Sequence, residues 1–149
     1  MIWSELNKLI ENNSSFIITS HVGLDGDSVG SQLAFSWYLE SLGKTCTIYV
    51  CDPVPEKFRF LNRWTKVSNE KPQSGVDVLV VLDCSNPERM GWKEYRGIAR
   101  TCVNIDHHRD NTHFADMNFV DDKASATAQI LYEYFVERKV VLPVEIAEC

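Results

Sequence analysis

The chain has 149 residues, 44% hydrophobic and 24% charged, with 15 basic against 21 acidic side chains and a formal net charge of -6. This composition excludes a disordered chain, and the length suits one domain that buries about 68–70% of the surface its unfolded form exposes. The acidic balance argues against a basic face for duplex DNA or an anionic membrane, but not against a phosphate substrate if divalent cations neutralise some carboxylates.

In chain order, Ile2, Leu6, Leu9 and Ile10 recur at helical spacing, which predicts an amphipathic helix over the first dozen residues, closed by Asn12-Asn13-Ser14-Ser15. Phe16 to Thr19 reads as a short buried strand and Ser20 to Gly26 as a loop. Asp27 or Ser28 can then cap a second helix running to about Leu42, with Val29, Leu33, Trp37 and Leu42 inward and Gly43 as the stop. Cys46, Ile48 and Val50 alternate with polar neighbours as a strand. Pro53 and Pro55 mark a turn before a short helical or irregular piece around Phe58, Phe60 and Leu61.

Val76 to Asp83 is the most apolar strand candidate and is therefore expected at the centre of a sheet. Asn86-Pro87-Glu88 opens a new segment, and Trp92 to Arg100 reads as a modest helix. Cys102 to Asp106 forms the next strand, and Asn118 to Val120 a short edge strand. Ala124 to Lys139 is a helix with Ala128, Leu131, Tyr132, Phe135 and Val136 inward. After Val140-Val141-Leu142-Pro143, residues Val144 to Cys149 look like the first turns of another helix, whose brevity suggests a fragment. The succession predicts an α/β fold, a mostly parallel sheet with helices on both faces joined by right-handed crossovers.

The five cysteines, Cys46, Cys51, Cys84, Cys102 and Cys149, are odd in number and contain no Cys-x-x-Cys pair, which speaks against a disulfide framework or a structural zinc site. No charged segment leads into an apolar one at the start, and no apolar run approaches the roughly 20 residues of a membrane span. A reducing, cytoplasmic setting is the expectation.

Three strands end in chemistry-bearing residues: His21, Asp25 and Asp27 follow the first, Asp83 closes the central one, and Asp106-His107-His108 closes the next. In open α/β sheets that edge binds ligands. Oxygen-rich donors with a few imidazoles suit manganese or magnesium better than zinc. A carboxylate leaving the most buried strand, as Asp83 does, can bridge two ions about 3.5–4 Å apart. Because consecutive strand residues point to opposite sides, Asp106, His107 and His108 need different roles. His107 is assigned as a metal ligand, His108 as a contact to the substrate phosphate or leaving group, and Asp106 as a further ligand or an orienting partner. Arg109 is a candidate phosphate clamp. Ser125 and Thr127 read as helix caps rather than ligands.

His21 to Ser31 (HVGLDGDSVGS), Asp83, Asp106-His107-His108, then Asn111, Phe114, Ala115, Asn118 and Ala124 to Ala128 together resemble the DHH phosphoesterase family. The likeness is nearest to its nanoRNase and 3',5'-bisphosphonucleotide phosphatase branch. It implies a parallel catalytic domain with two divalent cations, usually manganese, and magnesium as the alternative. His21 and Asp25 would hold one ion, Asp27 and His107 the other, with Asp83 bridging and His108 facing substrate. Leu24 stands where the family often has proline. The family's fourth acidic motif and its second, substrate-gripping domain are not in these residues, so a catalytic-domain fragment, weak or inactive by itself, is expected.

The function expected is hydrolysis of phosphoester bonds in short single-stranded oligonucleotides or small phosphorylated nucleotides by a water that two metals activate. No duplex DNA or membrane partner is expected, and a homodimer is left open. Inorganic pyrophosphate hydrolysis and a non-catalytic nucleotide-binding module are the alternatives.

Overall fold

The apolar run Val78–Leu82 makes up most of β4 (Val76–Leu82) and is buried, as a strand covered on both faces requires. In the computed structural model, which describes residues 3–149, β4 pairs in parallel with β1 (Ser15–Thr19) on one side and β5 (Ala99–Asp106) on the other. Beyond β1 lie β2 (Thr45–Tyr49) and the two-residue β3 (Val67–Ser68); beyond β5 lies β6 (Met117–Val120). The sheet is parallel throughout, in the order β3-β2-β1-β4-β5-β6. Chain order reverses between β1 and β4, which opens a crevice at their C-terminal ends.

Side chains alternate across the sheet. Phe16, Ile18, Val78, Val80, Leu82, Val103 and Ile105 face the larger core. There they meet α1 (Ser4–Asn12), α2 (Gly26–Ser41) and α3 (Thr127–Glu137) through residues such as Leu6, Leu33 and Leu131. The short α4 (Val144–Ala147) closes against α2. A Cβ on Gly30 would fall 1.8 Å from the Cys149 carbonyl oxygen, an approach that only glycine allows. The opposite face takes Ile17, Tyr49, Leu79 and Val81 under Cys84, Met90, Trp92 and Tyr95. That cover is a winding segment with two 3-10 turns, Pro87–Met90 and Tyr95–Gly97.

The predicted α/β architecture is therefore present, with several local differences. Ile2, assigned to the first helix, lies outside the described residues. The helix expected over Trp92 to Arg100 is only the turn Tyr95–Gly97, because Ala99 already pairs with Val76 and extends β5 backward. The cap of α2 is Asp25, not Asp27 or Ser28. That helix buries Val29, Gln32, Leu33, Phe35, Ser36 and Leu39 around most of its circumference, while Trp37 is half-buried and Leu42 is 44% exposed. In α3 the inward residues include Ile130 and Tyr134, whereas Tyr132 and Val136 face outward. The helix begins at Thr127 because Ala126 is extended. Among the described residues no helix is long and apolar enough to cross a membrane, and all five cysteines are free.

Candidate active site

The loop after β1 is shaped by its backbone. Val22 N–H donates to the Arg89 carbonyl at 2.7 Å, and Gly23, at a φ of 72° that suits glycine, donates its N–H to the Asp52 carboxylate at 2.6 Å. His21 is consequently buried, with Nδ1 2.8 Å from the Val22 carbonyl. A proton on Nδ1 satisfies that carbonyl and leaves Nε2 as a lone-pair donor. Nε2 stands 3.4 Å from Asp83 Oδ2 and 3.8 Å from Asp25 Oδ2. Asp25 uses its other oxygen to cap α2: Oδ1 accepts from Ser28 N–H at 2.9 Å, and the Ser28 hydroxyl accepts from Asp25 N–H at 2.9 Å.

Asp27 sits in the first turn of α2 and reaches across to α3. Its Oδ2 accepts from Thr127 N–H and its Oδ1 from Ala128 N–H, both at 2.8 Å. Ala126 has no polar side chain to cap α3, so Asp27 satisfies those free amides instead. The same Oδ2 lies 3.6 Å from His107 Nε2.

Asp83 follows β4 in a left-handed conformation, φ 55°, which costs a non-glycine residue about 1–3 kcal/mol. That turn aims its carboxylate into the crevice, where the residue is 1% exposed. Oδ2 faces His21; Oδ1 lies 3.5 Å from His107 Nε2 and accepts the Thr127 hydroxyl at 3.1 Å. His107 holds its Nδ1 3.3 Å from the Ala124 carbonyl, so its Nε2 is presented inward just as that of His21 is.

Strand alternation was expected to turn His107 and His108 apart, but β5 ends at Asp106 and the rule no longer applies to them. Both rings face Asp83, with centroids 4.6 Å apart. Asp106 points elsewhere: its buried carboxylate accepts from His108 Nδ1 at 2.7 Å and from the Asn111 amide at 2.6 Å. Of the two roles left open for Asp106, the geometry is that of the orienting partner. Arg109 is exposed beside His108, Asn111 and His113, around a shallow pocket of about 200 Å3.

Two residues here have roles that their sequence positions did not suggest. Thr127 is buried and bonds to Asp83 as well as opening α3. Asn104, fully buried within β5, donates to the Val81 and Cys84 carbonyls at 3.1 Å each and accepts from Asn111 at 2.7 Å. An amide flanked by Val103 and Ile105 was the available signal, since a buried amide must find partners.

Electrostatics bind the cluster together. Burial pushes the Asp83 carboxyl pKa up, but the His21 hydrogen bond and charge, the His108 charge and the Thr127 hydroxyl outweigh it and hold it below the ordinary value. The hydrogen bond to Asp83 raises His21 in turn, against burial. Asp27 is raised, first by burial and then by repulsion from Asp83. Two acids and two histidines crowded this way are stabilised by a cation.

Two groups of donor atoms lie within 4.8 Å of one another, His21, Asp25 and Asp83 in one and Asp83, His107 and His108 in the other, and Asp83 belongs to both. His108 Nδ1 is already engaged by Asp106, whereas Asp27 Oδ2 lies near His107, so Asp27 is the better third donor of the second group. Oxygen and imidazole donors around a shared carboxylate fit a pair of divalent cations.

The family model described as the DHH family, N-terminal domain, matches residues 15–149. The chain is 36% identical over 130 residues to the bifunctional oligoribonuclease and PAP phosphatase NrnA of Thermus thermophilus, covering 86% of this chain and 38% of that one. It is 28% identical over 136 residues to the protein of the same name from Bacillus subtilis, covering 91% and 42% respectively. Among solved structures, an exopolyphosphatase-related protein from Bacteroides fragilis superimposes with a TM-score of 0.81 at 21% identity, over 91% of this chain and 43% of that one. The chain thus spans about two fifths of the length of these relatives.

Proposed function

Because the chain belongs to the DHH family, we propose that it carries the catalytic centre of a phosphoesterase acting on short single-stranded oligonucleotides and on 3',5'-bisphosphorylated nucleotides. The carrying observation is the Asp83 carboxylate, whose Oδ2 lies 3.4 Å from His21 Nε2 and whose Oδ1 lies 3.5 Å from His107 Nε2. His21, Asp25 and Asp83 would hold one divalent cation and Asp27, His107 and Asp83 the other, with manganese the first candidate and magnesium the second. Bound there, the cations would act as Lewis acids on the phosphoryl oxygens and acidify the attacking water.

The remaining work falls to the protein's own groups. His108 keeps Nε2 for the substrate because Asp106 holds Nδ1, which places that nitrogen to contact the phosphate or the departing oxygen. Arg109, at the exposed rim, is placed to pair with a phosphate. The backbone carbonyl facing each Nδ1 fixes the tautomer of His21 and His107 that turns Nε2 toward Asp83.

The test is release of phosphate from adenosine 3',5'-bisphosphate and shortening of a labelled trinucleotide by the manganese-loaded full-length protein, with pyrophosphate in parallel. Turnover of the nucleotide substrates is expected. Hydrolysis of pyrophosphate alone would install the inorganic pyrophosphatase reading, and tight nucleotide binding with no turnover would make the protein a binding module.

A further inference from the structure

The segment covering the second face of the sheet forms a cavity of about 460 Å3 that the cation cage does not use, walled by Pro87, Gly91, Trp92, Lys93, Tyr95 and Arg96. This is the size range of small-ligand sites. It adjoins the cage by two routes. Val22, the neighbour of His21, donates to the Arg89 carbonyl, and a Cβ on Gly91 would come within 2.6 Å of Val22 Cγ1. Along the chain, Pro87 follows Asp83 closely enough that at most about 14 Å of backbone separates them.

The cavity's chemistry is unusual for this acidic protein. Trp92 and Tyr95, both nearly buried, give it an aromatic floor. The Trp92 indole N–H is buried and, among the described residues, has no acceptor. Lys93 and Arg96 are exposed at the rim, and among the described residues neither forms an ion pair; Arg96 donates only to the Phe114 carbonyl at 3.4 Å. Glu94, which could neutralise them, is drawn to Lys71 at 2.8 Å, leaving Glu88 as the one carboxylate in the lining. Cations without a carboxylate partner, the Arg96 guanidinium 5.3 Å from the Tyr95 ring centroid, beside an apolar wall suit a nucleic-acid strand, with phosphates on the cations and a sugar edge on the wall.

We propose that this cavity is a second nucleotide subsite, which takes the nucleotide adjoining the one whose phosphoester lies in the cage. Lys93 and Arg96 hold a phosphodiester there. The inference rests on the phosphoesterase reading and adds a division of labour. A bisphosphorylated mononucleotide uses the cage alone, whereas an oligonucleotide uses both places.

The test compares binding of a cleavage-resistant phosphorothioate tetra-adenylate and of adenosine 3',5'-bisphosphate to the manganese-loaded protein over a range of salt. Lys93→Ala/Arg96→Ala should weaken the tetra-adenylate severalfold and flatten the slope of log affinity against log salt by about 0.7 for each phosphate that is no longer neutralised. The bisphosphate should bind as before. Unchanged tetra-adenylate affinity and slope, with the bisphosphate still bound, would overturn the subsite and leave the phosphoesterase reading standing. Equal weakening of both ligands would also overturn it. Failure of the unaltered protein to bind either ligand would bring down the underlying reading together with the subsite.

Discussion

Asn104→Leu would remove the amide that joins β4, β5 and the His108 support while keeping the volume of the side chain close to constant. Three hydrogen bonds disappear: those to the Val81 and Cys84 carbonyls at 3.1 Å and that from Asn111 at 2.7 Å. At about 1 kcal/mol each, the loss is about 3 kcal/mol. For a chain of this size that corresponds to a fall in Tm of roughly 6–12 °C. Urea denaturation should show a lower midpoint with the slope unchanged. The site should suffer as well, because Asn111 loses one of the two short acceptor contacts of its amide, keeping that to Asp106 and a longer one to the Cys84 carbonyl, and Asp106 fixes His108. Turnover should drop about 10–100-fold, the usual cost of losing an orienting partner. A variant within about 0.5 kcal/mol of the parent, with turnover intact, would refute the claim that this amide supports the site.

Asp27→Ala leaves the Thr127 and Ala128 amides without their acceptor. It should cost about 1 kcal/mol in the metal-free protein, the usual value of a helix cap, and amide exchange at those two residues should speed up. His108→Ala should abolish turnover while manganese titration shows both cations retained; loss of a cation would make His108 a ligand instead. Asp77 accepts from Ser14 N–H, Ser15 N–H and the Ser15 hydroxyl at 2.9–3.0 Å, which holds its carboxyl below the ordinary 3.8. A depressed carboxylate stabilises the fold above its unfolded pKa and loses that contribution as the pH falls through the folded one. Asp77→Asn should therefore flatten the acid limb of stability against pH, measured by urea midpoints, and an unchanged limb would contradict the assignment.

How far the sequence could be read depended on whether a residue's role is local. Val78–Leu82 announces a central strand by its unbroken apolar run, and the residues that close β1, β4 and β5 carry their acids and imidazoles in the sequence itself. The periodicity of α2 was misleading because the helix is packed by the sheet on one side and by α3 and α4 on others, so no single stripe describes it. The turn at Tyr95 resembled a longer helix because Trp92, Tyr95 and Ile98 have helical spacing, while pairing of Ala99 with Val76 claims the backbone beyond it. The linking roles of Asn104 and Thr127 needed partners distant in sequence, Val81 and Cys84 for one and Asp83 for the other. The reach of Asp27 to the start of α3 was invisible for the same reason.

Manganese titration of Asp83→Ala beside Asp25→Ala tests the shared cage most directly, since one carboxylate faces both histidines and the other only His21. The account predicts that Asp83→Ala weakens both binding events and Asp25→Ala one. Loss in Asp83→Ala no greater than in Asp25→Ala would contradict a carboxylate common to two cations.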